Sequence, residues 1–159
     1  MKFLPSFLIF LLPFLYLIAE KKVVFIAGKK SHGYFSHEHI AGSKLLSKYI
    51  NEANVGIKSI VVTDDGYPKD PSILNDAASI VVYCDGGGRH LLNPHLKEFD
   101  QLMKKGIGLA CIHYGVEVPK GAPGKYFLKW IGGYFETNWS VNPHWVANFN
   151  KLPIHPVAS

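Results

Sequence analysis

Apolar positions along the chain follow two rhythms. Four short runs are almost continuously apolar: Lys22–Ala27, Ile57–Thr63, Ala78–Cys84 and Ile107–Ile112. Each breaks off into glycine, aspartate or histidine. Continuous rather than alternating apolar runs of this length predict strands buried on both faces, as in parallel sheets. Between them the spacing changes to threes and fours. Ala41, Leu45 and Tyr49, with Leu46, Ile50 and Ala53 beside them, predict a helix that buries this face. Ser36 is its expected N-cap, Glu38 falls in its positive first turn, and Asn54-Val55-Gly56 is its stop signal. Pro71 opens a short helix through Leu74. Asn93 then caps a helix with Pro94 at its first position, which buries Leu96, Phe99, Leu102 and Met103 and closes in Lys104-Lys105-Gly106. This alternation predicts the α/β class, with a doubly wound, mostly parallel sheet. Beyond Pro119 the rhythm fades: Pro119–Pro123 reads as loop, Tyr126–Ile131 as helix, and Gly132–Phe135 leads into an aromatic segment ending near Val146. Four parallel strands with an unfinished fifth lead us to expect a domain truncated at its C-terminus.

Composition changes this picture at the N-terminus. Lys2 is followed by a stretch without charge until Glu20 and with a small residue, Ala19, at its end. Two prolines and borderline length argue against a membrane span, so residues 1–19 are expected to be an export signal, or otherwise an uncleaved anchor. The remainder, residues 22–159, is then expected to be a single domain working in the periplasm or outside the cell, with membrane contact only through the N-terminal segment. The chain is 48% hydrophobic and 18% charged, with a formal charge of +5 and 8 histidines among 159 residues. Its lysines are scattered and no arginine–aromatic run marks a nucleic-acid surface, so no nucleic-acid partner is expected. Cys84 and Cys111 near the ends of two strands read as reduced core thiols; a disulfide between neighbouring strands is the other reading.

Candidate chemistry sits where the strands break off. The first loop carries His32, His37 and Glu38; the third carries Asp85, Gly86, Gly87, Gly88, Arg89 and His90; the fourth carries His113, Tyr114 and Glu117. In a parallel sheet these loops share one edge, where ligands bind. His32, His37 and Glu38 are candidate ligands for a divalent metal such as zinc, since imidazole and carboxylate suit it; capping of a helix start is the alternative for the triplet His37-Glu38-His39. His113 and Glu117, four apart, share a face if the turn is helical, as base and orienting carboxylate or as two metal ligands. Asp85, Gly86, Gly87, Arg89 and Tyr114 are candidate substrate contacts. The glycine run would let backbone amides approach a ligand, or else serve a tight turn needing positive φ. It fits neither the phosphate-loop spacing nor the dinucleotide fingerprint. Trp130, Tyr134, Phe135, Trp139 and Trp145 default to core packing, with one or two available to stack on a sugar ring. His144 and His155 are further residues that could reach the same edge.

In order along the chain, several of these motifs resemble the trehalose-utilisation (ThuA-like) family of the class I glutamine amidotransferase-like superfamily. They are the His32-Gly33 loop with His37-Glu38, Tyr83-Cys-Asp-Gly-Gly-Gly88, Gly108-Leu-Ala-Cys-Ile-His-Tyr-Gly-Val-Glu117, Trp130-Ile-Gly-Gly-Tyr-Phe-Glu136 and His155-Pro156. The resemblance implies a flavodoxin-like fold and action on a small carbohydrate, notably oxidised (keto) sugars in trehalose or related disaccharide catabolism. The reaction classes open to it are a metal-assisted hydrolase, lyase or isomerase; the alternative is a non-catalytic carbohydrate-binding or accessory domain. Amidotransferases place a nucleophilic cysteine at the corresponding strand-to-helix turn. Here His113 stands in that slot and Cys111 lies two residues back, so no glutaminase activity is expected. Family members run longer than this chain, in keeping with the expected truncation.

Overall fold

The computed structural model describes residues 20–139, 145–149, 151 and 154. The expected leader at residues 1–19, His144 and His155 lie outside the described residues. Among the described residues no helix is long and apolar enough to cross a membrane.

Among the described residues the main sheet has four strands, β1 (Lys21–Ala27), β2 (Ile57–Val62), β3 (Ser79–Tyr83) and β4 (Gly108–Ile112), all parallel, in the order β2-β1-β3-β4. All four predicted strands form, within a residue or so of the expected ends. Register places Val24 beside Ile60 and Ile80, and Val82 beside Cys111, on one face. That face packs under helices α2 (Leu96–Lys104) and α3 (Ala122–Ile131), whose Phe99, Leu102 and Phe127 complete the main core. Helix α1 (His39–Glu52) covers β1 and β2 from the other side. Helices on both faces make the fold doubly wound, as the alternation predicts. Glu117–Val118 (β5) and Phe135–Glu136 (β6) form a separate two-stranded parallel pair.

Several local expectations change. Helix α1 starts at His39 with Glu38 in the cap position, and no side chain caps it; Ser36 lies outside it. The helix also faces the other way. His39, Ser43 and Ser47 are buried, while Leu45, Leu46 and Tyr49 are exposed. Asn93 opens a short 3-10 turn, Asn93–His95, rather than capping α2, and its amide donates to the Gly87 carbonyl at 2.9 Å. Helix α3 begins at Ala122, with Pro123 in its first turn where a missing N–H costs nothing, so part of the expected loop is helical. Gly132 ends it in the left-handed conformation.

Candidate functional site

Strand order decides where the site lies. From β1 the chain goes out through α1 to β2, then crosses back past β1 to β3. The carboxyl ends of β1 and β3 therefore flank the point where the winding reverses, the usual ligand crevice of such a sheet. A cleft of about 740 Å³ opens there, between Gly28–His32 after β1, Asp65–Tyr67 after β2 and Cys84–Asp85 after β3. A second cleft of about 390 Å³ adjoins it, bounded by Tyr114, Glu117 and Thr137. His32, Asp85 and Arg89 line both.

The loop leaving β1 is folded tightly. Gly28 lies so close to β3 that a Cβ there would stand 2.6 Å from Cys84 Cβ. His39, fully buried, donates from Nδ1 to the Lys29 carbonyl at 2.6 Å and pins the loop to the helix start. Ser31 pairs with His37 across the loop, with His32 (φ 64) and Phe35 (φ 62) left-handed between them. This brings the His32 and His37 rings to 4.0 Å between centroids.

Asp85, from the end of β3, completes the cluster. The Ser31 hydroxyl donates to Asp85 Oδ1 at 2.6 Å and lies 3.0 Å and 3.1 Å from Nδ1 of His37 and His32. Those two nitrogens stand 3.4 Å and 3.8 Å from the same carboxylate oxygen. Burial alone would raise the Asp85 pKa, but hydrogen bonds from Ser31 and His37 outweigh it and hold the carboxyl below its usual range. The carboxylate that joins the two histidines is thus Asp85 and not Glu38, which pairs with Lys30 at 2.5 Å. Ser31 is a site residue that sequence reasoning missed. A serine in a polar loop carries no signal of its own until β3 is known to lie beside β1.

The turn after β4 supplies a third imidazole. His113–Val116 is a 3-10 turn that begins with His113 left-handed at φ 54. The His113 ring stands 4.9 Å from that of His37, edge-on, and Tyr114 packs against both His37 and His32 at 5.3 Å and 6.2 Å. Gly115 is required, because a Cβ would meet the Val82 carbonyl oxygen at 2.7 Å. Glu117 leaves this turn in extended conformation at the start of β5, so it does not share a face with His113 as a helical turn would arrange. It stands instead across the glycine turn. A Cβ on Gly86 would lie 2.6 Å from Glu117 Cβ and 2.9 Å from the Tyr114 carbonyl oxygen. Gly86 is therefore glycine for close packing, and Gly87 for its positive φ of 65.

The remaining predicted positions divide. Arg89 reaches to 3.8 Å from Asp85 with a side chain 83% exposed. His90 turns inward and is fully buried, so it is not part of the edge cluster. Cys84 and Cys111 are free, and burial pushes both thiols up to about 12. Trp130 packs on Phe99 and Phe127 and donates to Asp100 at 3.0 Å, whereas Trp139 and Trp145 are exposed.

No protein-family model matches the chain. No curated protein matches it either. Among solved structures it is similar to a ThuA-like protein from Bacteroides uniformis, with 18% identity over 72% of this chain and a TM-score of 0.48. The chain spans 44% of the length of that protein. The α/β fold stands on the sheet itself.

Proposed function

We propose that this chain is a ThuA-like carbohydrate-processing enzyme that acts on a keto-sugar of the trehalose or related disaccharide class, without glutaminase activity. One observation carries the reading: His32, Asp85 and Tyr114 line a polar crevice on the carboxyl edge of a parallel sheet, with the rings of His37 and His113 packed beside Tyr114. A keto-sugar offers acidic protons next to its carbonyl and hydroxyls along its ring. Imidazole is suited to moving the first, and carboxylates accept hydrogen bonds from the second. His113 is the general base. Asp85 and Glu117 line the crevice from opposite sides and take sugar hydroxyls, and the exposed Arg89 adds a cation at its mouth. Glutaminase chemistry lacks its nucleophile: His113 stands in the slot, and Cys111 is a half-buried thiol whose pKa is pushed up to about 12 by desolvation. The apolar first nineteen residues support action outside the cytoplasm.

The test is turnover of a panel of keto-disaccharides by the full chain. We expect His113→Asn, chosen because asparagine tolerates the left-handed backbone, to lower kcat by roughly a hundredfold or more, the usual worth of a general base. Glu117→Gln should raise KM. Full activity in both variants sinks the assignment, as does inactivation through Cys111 by a glutamine analogue. Sugar binding without turnover would favour a binding module built on Asp85 and Arg89.

A further inference from the structure

We infer that His32, His37 and Asp85 form a binding site for a divalent transition ion of the zinc type, with Ser31 as the residue that orients its ligands. The inference stands whether or not the substrate is a sugar. Two imidazoles and one carboxylate each bring a ligand atom to within 4.8 Å of the other two. Three protein ligands of this kind, with a further position left open, describe a reactive rather than a structural zinc site. Around a tetrahedral ion with bonds of about 2.0–2.1 Å, ligand atoms stand roughly 3.3 Å apart. The 3.4 Å from His37 Nδ1 to Asp85 Oδ1 meets that spacing, and the 3.8 Å from His32 Nδ1 approaches it.

Two further features fit a site built for a cation. The Ser31 hydroxyl lies within hydrogen-bond distance of all three groups, at the same Nδ1 and Oδ1 atoms that would hold the ion, and so keeps them converged. His32 keeps a left-handed backbone at φ 64, a conformation uncommon for a non-glycine residue and concentrated at functional sites. Because His32 and Asp85 line both clefts, the open position faces the crevice, where a water or a substrate oxygen can enter. The neighbouring candidates are otherwise engaged: Glu38 with Lys30, and His39 with the Lys29 carbonyl. His113 stands next to the cluster without belonging to it, which leaves it available as a base.

The experiment uses the full chain without a polyhistidine tag, dialysed with zinc and then against buffer, its metal content read by mass spectrometry. We expect about one zinc per chain, a rise in melting temperature with zinc, and absorption bands of low-symmetry cobalt when cobalt replaces it. His32→Ala, at an exposed position, and Asp85→Asn should each weaken binding at least tenfold, and Glu38→Gln should leave it unchanged. Three outcomes overturn the inference: wild-type protein that retains no zinc, equal retention in His32→Ala and Asp85→Asn, or loss in Glu38→Gln. No substrate enters these measurements. A failed sugar assay would therefore leave the metal site standing, and a metal-free protein would leave the sugar chemistry to its own test.

Discussion

The imidazole of His90 lies inside the core between two backbone groups. Its Nδ1 accepts the Leu92 amide at 3.1 Å, which leaves Nε2–H to donate to the Gly115 carbonyl at 2.9 Å. Burial lowers its pKa from 6.5 to about 4, only partly offset by the Gly115 bond. The stability consequence has a definite sign. Above pH 6.5 the ring is neutral folded or unfolded; as pH falls from 6.5 toward 4 the unfolded chain takes up a proton that the folded one refuses. Stability is therefore full above pH 6.5 and falls by about 3 kcal/mol through that window. Urea midpoints from pH 7 to 4 should show this slope, and His90→Asn should lower stability at pH 7 yet flatten the slope. An equal slope in both proteins would show that His90 is not its source. His90 and His32 both follow strand ends, and nothing in their immediate neighbours tells a core ring from an edge ring. Burial distinguishes them, and burial depends on the 3-10 turn at Gly87–Arg89 that swings His90 inward.

At the scale of an element, α1 is the instructive case. Its apolar spacing predicts a buried face of Leu45 and Tyr49, yet these are 53% and 61% exposed. A polar seam holds the opposite face down. The Ser59 hydroxyl donates to the Ser47 carbonyl at 2.9 Å, and the Asn51 side chain takes the Ser59 amide at 2.7 Å and gives to its carbonyl at 3.0 Å. Gly42 lets the helix rest on the Tyr83 ring, which a Cβ would meet at 2.9 Å. A buried network of this kind is costly to break, whereas an exposed leucine contributes little. Ser59→Ala should thus cost about 1–3 kcal/mol and Leu45→Lys less than about 0.5 kcal/mol in urea denaturation. A larger loss from Leu45→Lys than from Ser59→Ala would reverse the helix orientation. The strands were far more legible than this helix, because an almost wholly apolar run is buried whichever way it faces.

For the whole molecule, the layer of α2 and α3 holds the site's supports in place from below. Phe127 is fully buried and meets the His90 ring at right angles, 5.3 Å between centroids, and His90 in turn fastens the turn carrying His113 through Gly115. Asp100, bonded by Lys129 at 2.6 Å and by Trp130, ties α2 to α3, and these donors hold its carboxyl far below the usual range. Phe127→Ala should cost about 3–5 kcal/mol, the loss of a buried aromatic ring with the cavity it leaves. Calorimetry should show one transition at lower temperature; a loss under about 1 kcal/mol would mean that α3 is not part of the main core.

What the sequence determined by itself is the set of strands, their parallel class and the edge on which the chemistry gathers. These follow from apolar runs and from the rule that parallel strands send their carboxyl ends the same way. Which polar groups meet on that edge was a matter for the tertiary structure alone. Ser31 and Asp85 are 54 residues apart, and Asp85 lies beside the His32 and His37 loop only because β3 pairs with β1. Sequence spacing favoured Glu38, the adjacent carboxylate, but Glu38 turns to Lys30 at the start of α1. Local propensity acts over a few residues; strand order brings distant ones together, and the candidate site is made almost wholly of distant ones.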